Sequence, residues 1–114
     1  SCVVETAGLG GFAAAASPIV CSLRGMSLQD CIGQTREMER ISIAKNPNYP
    51  IPNLDFDPLP VGIDIRLVLK TGVCPAIHGG MFNHEGGLIG AGMARVPMEC
   101  FQKAMKAFAA KYRN

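Results

Sequence analysis

The stretch HGGMFNHEGGLIGAG, residues 78 to 92, holds both histidines of the chain together with Asn83, Glu85 and six glycines. Imidazoles give and take protons near neutral pH. His78 and His84 are therefore candidates for an acid–base pair or for oxyanion donors, with Glu85 orienting one ring. The same residues read equally as a glycine-rich loop between two strands, its histidines merely solvated. Cys74 would complete a set of four ligands, but the spacing matches no strong metal pattern, and neither a metal nor another cofactor is expected.

A second stretch, Gly8-Leu9-Gly10-Gly11-Phe12-Ala13, fits the dinucleotide form G-x-G-x-x-A. Its context argues against that use. The acid about 20 residues on is Asp30, which opens a helix instead of closing a strand, and no βαβ unit surrounds it. Two uses remain: a glycine turn for close packing against a strand, or backbone N–H groups of Gly10 and Gly11 cradling a phosphate or carboxylate. Arg66 and Arg95 are further candidates for anion binding, Arg66 through its bidentate fork, although a cap and a surface ion pair with Asp64 would use it as well.

These residues need elements to position them. Val3 and Val4 favour a short strand over residues 2 to 5, and Phe12 to Ala16 favour a helix. Ser17-Pro18 has the form of a helix start, with a stop at Gly25. Ser27-Leu28-Gln29-Asp30 resembles a capping box, and Leu28, Cys31, Ile32, Thr35 and Met38 repeat at helical spacing until Lys45-Asn46-Pro47. Arg36, Glu37, Glu39 and Arg40 read as its solvated face. Five prolines between residues 46 and 62 predict an extended arm over the surface, pinned by Tyr49, Ile51, Leu54 and Phe56. Residues 61 to 71 alternate like a strand, yet Asp64 and Gly72 bracket a short helix, which is the preferred reading. Strands are expected at residues 73 to 78 and 88 to 95. From Pro97, Met98, Phe101, Met105, Phe108 and Tyr112 form one face of an amphipathic helix. The whole predicts an α+β domain, a small sheet of short strands with helices packed on it, ending in that helix.

At 114 residues the chain makes a single domain, residues 1–114. Its start at Ser-Cys-Val-Val and its 48% hydrophobic content suggest a fragment or processed piece of a longer protein, with apolar surface meant for other domains of its own chain. A net charge of +2 with scattered basic residues does not suggest nucleic acid. No apolar run reaches the roughly 18 residues of a membrane span. Five widely spaced cysteines read as reduced, mostly buried thiols of a cytoplasmic protein.

The phrases VVETAGLGGFAAAASP, TREMERISIAKNPNYPIPNLDF, PVGIDIRLVLKTGVCPAIHGG and IGAGMARVPMECFQKAM, in this order, resemble the C-terminal part of the YlbE-like bacterial proteins. That family is linked to the oxamate carbamoyltransferase of anaerobic allantoin and purine breakdown. The resemblance implies the last α/β domain of a multi-subunit enzyme that converts oxalurate and phosphate into oxamate and carbamoyl phosphate. It implies a small anionic substrate, partner subunits and no cofactor, since such transfer requires no metal. It departs at residues 77 to 85, where His78 stands in place of an asparagine and Asn83 in place of the family's histidine. Two roles follow: contribution to a carbamoyltransferase site, centred on residues 78 to 85, or a packing and subunit-interface domain without catalysis.

Overall fold

The computed structural model describes residues 2–113. Helix α1 (Cys2–Thr6) leads into a 3-10 segment (Gly10–Ala16), followed by α2 (Pro18–Leu23) and α3 (Leu28–Glu39). Strands β1 (Ser42–Ile51) and β2 (Asp57–Ile63) flank a 3-10 turn at Pro52–Leu54. Then come α4 (Ile65–Thr71), β3 (Ala76–Phe82), β4 (Leu88–Arg95) and α5 (Met98–Tyr112). The class is α+β as expected, but the strands form two separate two-stranded antiparallel sheets instead of one.

Several elements were set by local chemistry. Ser27 Oγ accepts the N–H of Asp30 at 3.1 Å while Asp30 Oδ2 accepts that of Ser27 at 3.1 Å, so the capping box is real. Pro18 occupies the first turn of α2, and Gly25 follows its end at φ 68°. Residues 61 to 71 satisfy both of their readings. The alternating residues Val61 to Ile63 finish β2, and Asp64 then caps α4, accepting the Arg66 N–H at 2.9 Å, while Gly72 closes it in the left-handed region.

Four expectations are corrected. Residues 2 to 5 are helical, not extended, because the helix turns Glu5 inward to meet the N–H groups of Gly11 and His78. The Phe12–Ala16 helix is a 3-10 segment kinked at Ala13. Helix α3 stops at Glu39, and the proline-rich arm is the β1–β2 hairpin. A two-stranded ribbon consists only of edges, so Pro47, Pro50, Pro58 and Pro60 fit where a central strand would exclude them. The thiol reading also fails: Cys21 and Cys31 form a disulfide that ties α2 to α3, Cys74 is half-buried and Cys100 is exposed. A cytoplasmic location can therefore no longer be argued from reduced thiols.

The core lies under the 3-10 segment. Phe12, Met38, Ile41, Val68 and Ala76 form one cluster, with Met98 and Phe101 of α5 against it. Ala15, Ile51, Leu54 and Leu59 form a second cluster beneath the β1–β2 hairpin. Thr35 fastens the 3-10 segment to α3, donating to Phe12 O at 2.9 Å and accepting from Ala15 N at 3.0 Å. Gly11 packs so closely on β3 that a Cβ there would overlap the Ala76 carbonyl. The close-packing reading of the glycine turn is the one this contact supports. Among the described residues no helix is long and apolar enough to cross a membrane.

Candidate functional site

His78 sits near the start of β3, half-buried, with its ring turned toward α2 and α3. Its Nε2 lies 2.8 Å from Gln34 Nε2 and 3.2 Å from Arg24 Nη1. A guanidinium has only donors. The Gln34 amide also donates to Gly11 O at 2.6 Å, which fixes its nitrogen on this side. Both neighbours therefore donate, and His78 Nε2 must be an unprotonated acceptor, with the ring proton on Nδ1. Burial, then the Arg24 charge, push the imidazole down to about 4, against a smaller opposing pull from Glu5. At neutral pH His78 is thus a neutral acceptor. It suits holding and orienting a group, and an acid–base exchange would first require breaking both bonds.

Glu5 stands behind the same histidine. Its side chain is buried, and Oε1 accepts the backbone N–H of Gly11 at 3.2 Å and of His78 at 3.1 Å. The N–H of Gly11, a candidate for cradling an external anion, is taken by this internal carboxylate. Gly10, at φ 62°, is needed beside it, since any Cβ would collide with the Glu5 carboxylate. Gly10, Ala13, Ser17, Val20, Arg24 and His78 line a cleft of about 240 Å³. Across Arg24 and His78, a second cleft of about 260 Å³ runs past Leu23, Gly80 and Leu88.

The other expected site residues lie elsewhere. Asn83, His84 and Glu85 are exposed in the turn between β3 and β4, about 20 Å from His78 at the usual rise of a strand. Asn83 Oδ1 accepts the N–H groups of Glu85 at 3.0 Å and Gly87 at 2.8 Å, so its side chain builds the turn. His78, His84 and Glu85 consequently do not converge on one group. Arg66 is exposed and forms a bidentate pair with its neighbour Asp64, at 3.0 and 2.8 Å, which holds the Asp64 carboxyl below the usual carboxylate range. Arg95 pairs with Glu37 and donates to Cys74 O at 2.8 Å. Among the described residues no three His, Cys, Asp or Glu side chains gather in a way that could hold a metal ion.

Sequence reasoning missed Glu5, Arg24 and Gln34. Gln34 carried a signal, because it shares the buried face of α3 with Cys31, Thr35 and Met38, where a long polar side chain needs a partner. Glu5 follows the apolar Val3 and Val4, and no local spacing points to a partner 73 positions away.

No family model matches the chain. It is 38% identical over 112 residues to the oxamate carbamoyltransferase subunit AllG of Escherichia coli (strain K12), covering 96% of this chain and 27% of that protein. It is 37% identical over 114 residues to the uncharacterized protein YahG of the same organism, covering 98% of this chain and 24% of that one. A crystal structure of a conserved protein of unknown function from Enterococcus faecalis V583 shares the fold, with a TM-score of 0.85 at 41% identity over 96% of this chain and 26% of the other. Both E. coli proteins are homologues of this chain, which spans about a quarter of their length.

Proposed function

We propose that this chain is a segment of a carbamoyltransferase-type subunit of the YlbE-like kind, working with partner subunits on small anionic substrates in the cytoplasm. The observation that carries the reading is the similarity to AllG across nearly the whole chain, not across an isolated motif. In the reaction, a phosphate oxygen attacks the ureido carbonyl carbon of oxalurate and the C–N bond to the oxalyl amide nitrogen breaks. That nitrogen takes a proton, and oxamate and carbamoyl phosphate separate. Such chemistry asks a protein for fixed donors and acceptors around a carbonyl and needs no covalent intermediate. The polar recess around His78 offers groups of this type.

The test is a carbamoyl-transfer assay on the complete protein assembled with its partner subunits, following oxamate formation from oxalurate. Formation that depends on added phosphate is expected. Its absence from the assembled complex would overturn the reading.

A second role, packing or subunit contact, is favoured by a separate observation. Met81, Phe82, Leu88 and Ile89 on the β3–β4 hairpin, and Phe108 and Tyr112 on α5, are all exposed. Amide exchange that slows in this hairpin and in α5 when partner subunits are added would support assembly there.

A further inference from the structure

Three polar side-chain atoms are buried without a hydrogen-bond partner among the described residues: Glu5 Oε2, Arg24 Nε and Gln34 Oε1. They are not scattered. Each belongs to a group whose other end already bonds His78: Glu5 Oε1 at its N–H, Gln34 Nε2 and Arg24 Nη1 at its ring. Glu5 and Gln34 are also more than nine-tenths buried, at 1% and 5% exposure. Leaving such atoms unmatched carries the full desolvation penalty of each, so a cluster of them marks a place built for a further group. Two of the three are acceptors and one is a donor. Their complement is a planar group with two N–H bonds and a carbonyl oxygen, –CO–NH2.

We infer that the cleft lined by Gly10, Arg24 and His78, with the buried Glu5 and Gln34 behind it, binds the carbamoyl or primary carboxamide end of a small ligand. The amide N–H bonds point to Glu5 Oε2 and Gln34 Oε1, and the carbonyl oxygen to Arg24 Nε. Entry is through the cleft beside Gly10, whose missing side chain leaves the Glu5 carboxylate room. His78, kept neutral, holds Gln34 and Arg24 in place and is a positioning residue. The choice of ligand rests on the transfer reading, because oxamate, oxalurate and carbamoyl phosphate all end in this group.

The test uses the complete protein carrying 15N-histidine, with oxamate as probe and oxalate, which lacks the amide, as control. Saturable movement of the His78 ring signals by oxamate is expected, with oxalate at least tenfold weaker. Glu5→Gln keeps the shape but turns an acceptor into a donor, and should weaken oxamate at least tenfold while the melting curve stays cooperative. A His78 signal unmoved at high oxamate, or oxalate binding equally well, overturns the proposal even if Glu5→Gln fails to fold. Carbamoyl transfer with His78 unmoved removes the recess and leaves the transfer reading standing. Oxamate bound at His78 without transfer does the reverse.

Discussion

Up to Ala76 the chain buries its apolar side chains in three clusters, whereas from Ile77 onward no described residue is buried. The two regions do not differ in hydrophobic content. The second carries Met81, Phe82, Leu88, Ile89 and Met93 on its hairpin and Phe108 and Tyr112 on α5, all exposed. The difference lies in what each can reach. The 3-10 segment touches α3, β3 and β2 at once and acts as a hub, while the β3–β4 hairpin extends past it and α5 rests on the core through Met98 and Phe101 and lies along α4. The recess at His78 lies where the two regions meet.

The contrast can be broken at its strong end first. Phe12→Ala, at a position with no exposure, should cost about 3 to 5 kcal/mol in urea denaturation. A loss below about 1 kcal/mol would mean that the hub is not what holds the first region. Gly11→Ala comes next, because its Cβ has no space against the Ala76 carbonyl. About 1 to 3 kcal/mol of strain is expected, together with a shift of the β3 amide signals. Acid should then loosen the junction. His78 is near 4 when folded and near 6.5 when unfolded, so the unfolded chain binds the extra proton between these values. Its contribution is fully present above about pH 6.5 and is lost as pH falls through about 4, on the order of 1 kcal/mol for a half-exposed ring. Comparing pH melts of wild type and His78→Gln isolates it, since the depressed carboxyls of Asp57 and Asp64 act only at lower pH. Smallest of all, Met81→Ser with Ile89→Ser should move stability by less than about 0.5 kcal/mol. A larger loss would show that the hairpin is already covered.

Legibility followed the range of the interaction. Ser27 with Asp30, Asp64 with Gly72, and the α5 periodicity are events within a few residues, and each could be read directly. The joint site of His78, His84 and Glu85 could not be judged, because closeness in sequence along a strand means separation in space. Glu5 and His78 lie 73 positions apart and meet only through the fold. The prolines misled for a physical reason: they forbid a central strand, but not a ribbon made of two edges.

Those prolines also decide what the two ribbons offer to other backbones. Four of them within β1 and β2 remove amide donors from strands whose outer rims face outward. A third strand would find an interrupted ladder there, so that ribbon resists runaway strand addition. The β3 and β4 sequences, AIHGGMF and LIGAGMAR, contain no proline and carry apolar side chains along an open rim. If this segment self-associates when stripped of its surroundings, that ribbon is where the first intermolecular ladder would form.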